Sequence, residues 1–72
     1  MNLNLKRLKA ERIANSLTQD QMAEKMGWAT RTPYAKRENG IVAVSADELG
    51  KMATILGYNY ENIGIFFTKG LK

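Results

Sequence analysis

The chain has no cysteine and no histidine, one proline and one tryptophan. Without cysteine there is neither a disulfide framework nor a thiol nucleophile. Without histidine the commonest general base is missing, and with both gone so are the soft metal ligands. Catalysis would rest on seven carboxylates, most of which read as solvated helix charges, so no enzyme, metal site or cofactor is expected. No apolar run nears the roughly 18 residues of a membrane span, and the first residues lack the apolar segment of a signal peptide. A soluble chain with no membrane partner is expected, and a reducing cytoplasm fits the missing cysteines. No stretch alternates with period two over a useful length, so the class expected is all-α.

At 72 residues there is room for one small domain, read as residues 1–68 with a frayed tail at 69–72. Such a domain buries only about 60% of the surface its unfolded chain exposes, which makes oligomerisation an expected support. The net charge is +4, and residues 1–40 hold eight Lys/Arg against four acids whereas residues 41–72 hold three against three. The total alone fits an ordinary basic protein. The skew suits a polyanion partner.

Caps and spacing predict five helices. The first spans about residues 4–14, with Leu5, Leu8 and Arg12 on one face, so Arg12 is either an amphipathic edge residue or a buried charge needing a partner. The second opens on Thr18, whose capping box with Gln21 satisfies two orphan amides, and ends at Gly27; Met22, Ala23 and Met26 point inward. Thr30 or Thr32 caps the third, which tolerates Pro33 only in its first turn and ends before Gly40. Tyr34, Arg37 and Glu38 share one face of it; Arg31, Thr32, Ala35 and Lys36 lie towards the other. A second capping box, Ser45 with Glu48, opens a helix to Leu56 that Gly57 stops. Asn59 caps a short fifth helix carrying Tyr60, Ile63 and Phe67 at i, i+3 and i+7.

Over residues 3–67 the chain resembles the Cro/C1-type helix-turn-helix family. L-T-Q-D-Q-M-A-E-K-M-G is similar to that family's second helix, Y-A-K-R-E-N-G to the end of its recognition helix, and I-L-G-Y-N-Y-E-N-I to its fourth-to-fifth helix junction. The resemblance implies a five-helix, lambda-repressor-like DNA-binding domain with the helix-turn-helix at helices 2 and 3. It implies a buried ion pair between Arg12 and Glu38. It further implies base contacts by Arg31, Thr32 and Lys36, of which Arg31 and Lys36 suit guanine and Thr32 a thymine methyl. Gln19 matches a phosphate-contacting position, and Thr18, Thr30, Lys6 and Arg7 are the other phosphate candidates.

The second half of residues 18–40 departs from the family. One residue more than the usual spacing separates Gly27 from Glu38. It is placed in the turn, at Trp28 or Ala29, because the alternative puts Pro33 at a core position. Arg37 stands where the family normally has Leu or Ile: either its stem packs and its guanidinium reaches solvent, or the recognition helix sits differently. The loop Ile41-Val42-Ala43-Val44 lacks the Lys or Arg that relatives often carry there, and either tucks under the core or forms a protein interface. Trp28 is a core plug or an exposed anchor. Ile65, Phe66 and Phe67 cannot all face inward on one short helix, so Phe66 and Phe67 join Trp28, Ile41, Val42 and Val44 as interface candidates.

Two functions are expected from this pattern. The first is a sequence-specific double-stranded-DNA regulator, a phage-type Cro-like or repressor switch protein acting as a homodimer on a two-fold operator in a bacterial or phage-infected cell. The second keeps the fold but binds a protein, such as an opposing repressor or a toxin, as an antirepressor or antitoxin.

Overall fold

The computed structural model describes residues 2–59 and 61–68; the expected tail at 69–72, and Tyr60 of the expected fifth helix, lie outside the described residues. Four α-helices form the body: α1 (Leu5–Ala14), α2 (Gln19–Lys25), α3 (Thr32–Glu38) and α4 (Ala46–Ile55). Three of them start where side-chain chemistry starts them. Asn4 Oδ1 accepts the Arg7 amide at 3.1 Å. Thr18 with Gln21 and Ser45 with Glu48 both close reciprocal capping boxes. The third helix differs from expectation. Neither Thr30 nor Thr32 caps it; Arg31 occupies the N-cap in helical geometry without a side-chain bond, and Pro33 falls in the first turn.

All four helices end in one way. The residue after the C-cap turns left-handed (Ser16, Gly27, Gly40 and Gly57, φ +59°, +88°, +81° and +92°). The amide after it then reaches back five residues: Leu17 to Arg12, Trp28 to Ala23, Ile41 to Lys36 and Tyr58 to Ala53, at 2.8–3.1 Å. In this motif the residue following the left-handed one is placed to fold over its own helix end, and here it is apolar every time. Leu17, Trp28 and Tyr58 pack against the core. Ile41 does not, and remains 71% exposed.

The core gathers Leu8, Met22, Ala23, Met26, Tyr34, Leu49, Met52, Ala53, Leu56 and Phe66. Ala23 of α2 is buried in this core, and α2 packs on α3.

The expected fifth helix is one 3-10 turn, Ile63–Phe66. Asn59 caps the turn as expected, its Oδ1 accepting the Glu61 amide at 2.9 Å while Asn62 Oδ1 accepts the Asn59 amide at 2.7 Å, but the chain continues only as the 3-10 turn. The chain then extends, and Phe67–Thr68 pairs antiparallel with Asn2–Leu3, Leu3 opposite Phe67. This change of conformation solves the problem of three consecutive bulky residues. Phe66 drops into the core, wholly buried and edge-to-face with Tyr58 at 5.5 Å, so it is not an interface residue. Phe67 is half-buried against the same core. The two-residue pairing of the ends leaves the class all-α.

Candidate nucleic-acid interface

The inner face of α3 is fastened first. Arg12 meets Glu38 through two bonds, Nε to Oε2 at 2.9 Å and Nη2 to Oε1 at 3.1 Å. Its remaining Nη1 donates to the Leu17 carbonyl at 2.6 Å. Gln19 Nε2 adds a donor to Glu38 Oε1 at 3.2 Å. Arg12 and Glu38 are both buried, at 8% and 5% exposure. Burial pushes the Glu38 carboxyl up, but the hydrogen bonds from its neighbours and the Arg12 charge outweigh it and hold the group below the usual carboxylate range. Tyr34, one turn earlier, is buried with its hydroxyl unbonded, and burial raises that phenol above its ordinary value.

This network alters one expected role. Gln19 was the phosphate-contact candidate, yet its amide is half-buried and turned onto Glu38. One N–H of the Gln19 amide thus braces the Glu38 carboxylate by a charge-assisted bond, and its second N–H is not used by that contact.

The Arg37 guanidinium does not simply reach solvent, the first of the two expected alternatives. Its Nε bonds Glu48 Oε1 at 2.9 Å, its Nη1 bonds the Pro33 carbonyl at 2.8 Å, and its guanidinium lies 4.7 Å from the centre of the Trp28 ring. The Arg37 bond holds the Glu48 carboxyl below its ordinary range. Trp28 is accordingly neither plug nor free anchor. It is half-buried, bound to the core on its own helix end and stacked with Arg37.

The outer face of α3 is open. Arg31, Thr32 and Lys36 are all exposed, their side chains have no hydrogen-bond or ion-pair partner among the described residues, and Thr32 and Lys36 lie one turn apart. Thr30 is exposed in the turn, and Thr18 is exposed with its oxygen accepting the Gln21 amide. Lys6 and Arg7 project from α1, a separate element; Lys6 is unpaired, whereas Arg7 bonds Glu11 at 2.8 Å. In the loop after α3, Ile41 and Ala43 are exposed while Val42 and Val44 are half-buried. Val44 packs on the core, so the loop is tucked in part and bare in part.

Among the described residues no cluster of acids could hold a metal ion, and no helix is long and apolar enough to cross a membrane. The Gln19–Glu38 and Arg37–Glu48 contacts were not foreseeable by periodicity. Both join residues on different helices, and only the capping box at Ser45 marked Glu48 as a residue held in place.

A helix-turn-helix family model matches residues 8–62. No curated protein and no solved structure matches the chain.

Proposed function

The chain belongs to the Cro/C1-type helix-turn-helix family of DNA-binding regulators, and from that premise we propose that it is a non-enzymatic reader of duplex DNA sequence, a Cro-like or repressor-type switch protein. The observation that carries this reading is the asymmetry of α3: Tyr34 and Glu38 anchor one side, while Arg31, Thr32 and Lys36 stand exposed and unpaired on the other. In the major groove Arg31 and Lys36 donate to guanine O6 and N7, and Thr32 meets a thymine methyl. Thr18, Thr30 and Lys6 hold phosphates and set the register; Arg7 adds to them only in competition with Glu11. A homodimer in the cytoplasm places two copies of α3 about 34 Å apart on a two-fold operator.

Titration against a site selected from random duplexes, and against mixed-sequence duplex, at two salt concentrations tests this reading. Replacing Arg31 and Lys36 together by alanine should weaken binding to the selected site at least about thirtyfold, two base contacts at roughly 1 kcal/mol or more each. Undiminished binding would remove α3 as the reading element. A second reading, antirepressor or antitoxin action through a protein partner, is favoured by exposed Ile41, the one such residue left without a helix end to cover. Absence of any salt-sensitive DNA binding near micromolar would turn the assignment to it.

A further inference from the structure

The recognition helix has an unusual attachment at its leading end. It is only seven residues long, starts without a side-chain cap and is entered through residues 27–31. Tyr34 and Glu38 anchor its inner face, but no cap fixes the residues ahead of Tyr34, which leaves the direction in which Arg31 and Thr32 project to be set by other contacts. Arg37 supplies such contacts in three directions. Its Nη1 donates to the Pro33 carbonyl in the first turn of α3, its central carbon lies over the Trp28 ring of the preceding turn, and its Nε donates to Glu48 in the first turn of α4. Trp28 is itself fixed at the end of α2 by its amide bond to the Ala23 carbonyl at 2.9 Å. One guanidinium thus ties the ends of α2 and the start of α4 to the start of α3.

We infer that Arg37, acting through Trp28 and Glu48, is a positioning residue for DNA recognition: it sets the pitch of α3 and so the placement of Arg31 and Thr32, without itself contacting phosphate. The geometry requires a planar fork with a flat face. Two donors of one rigid fork reach two acceptors while its central carbon lies over an indole, 4.7 Å from the ring centre, an arrangement an ammonium cannot reproduce. Both side chains of the Arg37–Glu48 pair are about four-fifths buried (19% and 23% exposed) and the charge is already compensated, so little remains to attract a phosphate. A recognition surface supported in this way keeps its specificity only while the supporting contacts hold.

This inference rests on the proposal that α3 reads bases, and the experiment separates the two. The full chain, Lys36→Ala, Arg37→Met and Arg37→Lys are each titrated with the selected site and with mixed-sequence duplex across a salt series, binding being corrected for the folded fraction. Arg37→Met retains an apolar stem, so the folded state survives; circular dichroism checks this. The ratio of selected-site to mixed-sequence affinity should fall about tenfold in Arg37→Met, comparable with loss of one base contact. The slope of log K against log salt should stay unchanged, and Arg37→Lys should fail to restore the ratio. The emission of Trp28, the sole tryptophan, should change in both variants as the guanidinium leaves its face. An unchanged ratio would overturn the inference, as would a slope reduced by about 0.9, the mark of a lost phosphate contact, or full rescue by lysine. If the wild-type chain shows no discrimination, or Lys36→Ala retains it in full, the reading of α3 fails and this inference fails with it. Discrimination lost in Lys36→Ala but intact in Arg37→Met overturns the positioning role alone.

Discussion

Replacing Glu38 with glutamine would leave the shape of the scaffold nearly intact and remove the charge beneath Arg12. In the native chain the Arg12 guanidinium makes two bonds to that carboxylate and one to the Leu17 carbonyl, at 8% exposure. Glu38→Gln keeps one acceptor oxygen and leaves the Leu17 bond in place, but the buried cation loses its counter-ion. Removing one partner of a buried pair costs roughly 3–5 kcal/mol; the two retained acceptors put the expected loss near the lower end, about 3 kcal/mol. A chain of 72 residues has a total stability of about 4–11 kcal/mol at 0.05–0.15 kcal/mol per residue. The variant should therefore lose between a quarter and three quarters of its stability, with Tm lowered by about 12–24 °C. Urea unfolding at neutral pH, followed by circular dichroism, measures this as a fall in the midpoint at constant m. Replacing both partners, Arg12→Met with Glu38→Leu, should cost less than the sum of the single changes, because no charge is left stranded. A loss below about 1 kcal/mol in Glu38→Gln, or strict additivity in the pair, would refute the argument that this ion pair is a desolvated and mutually dependent unit.

Acid should act on the same contacts. The folded chain holds the Glu38 and Glu48 carboxyls below their ordinary value, so the unfolded chain binds more protons as pH falls from about 4.3, the unfolded carboxyl value. The stabilisation is complete above that pH and lost as pH falls through the folded values; urea midpoints measured from pH 5.5 to 2.5 should decline in that window, less steeply for Glu38→Gln, and a flat profile would contradict both assignments. At Ser16, the only non-glycine residue of positive φ among those described, glycine removes a left-handed penalty of roughly 1 kcal/mol against its own greater unfolded entropy. Ser16→Gly should raise stability by about 0.5 kcal/mol and Tm by about 2–4 °C, and a lowered Tm would show that Ser16 is not strained.

What the chain disclosed in advance depended on how local the cause was. The capping boxes at Thr18 and Ser45 and the stops at Gly27 and Gly57 lie within one or two helical turns, and each stands where spacing placed it. The start of α3 was misread because two threonines suit an N-cap, whereas the turn delivers Arg31 to that position instead. The last helix was misread because i, i+3, i+7 spacing at residues 60, 63 and 67 mimics a helical face. Phe66 follows a different rule: what seats it in the core is Leu3 pairing with Phe67, a contact between the two ends of the chain. The site divides in the same way. Exposed Arg31, Thr32 and Lys36 could be picked out by registration from Glu38, while the inward turn of Gln19 and the tripartite contact of Arg37 depend on elements that meet only in the folded state.

That division bears on how the charge of the chain should be interpreted. Eight cations in residues 1–40 suggest a strongly electrostatic partner surface, but Arg7, Arg12 and Arg37 are each bonded to a glutamate. All four arginines of the chain lie in that half; Arg12 and Arg37 join different helices, Arg7 makes an exposed pair within α1 that a phosphate could displace, and Arg31 alone has no ion-pair partner among the described residues. A planar fork can satisfy a carboxylate and a carbonyl at once, as Arg12 and Arg37 do, whereas lysine supplies a point charge suited to an exposed phosphate. All four lysines of this half, Lys6, Lys9, Lys25 and Lys36, are exposed. With Arg31, and with Arg7 where a phosphate displaces Glu11, they make at most six phosphate-neutralising groups in this half of the chain, which bounds its contribution to the salt slope at about −5 per chain. On the proposed reading of α3, discrimination would come from the aim of a short helix more than from the density of charge around it, and the Arg12 and Arg37 contacts are the ones that hold that helix against its neighbours.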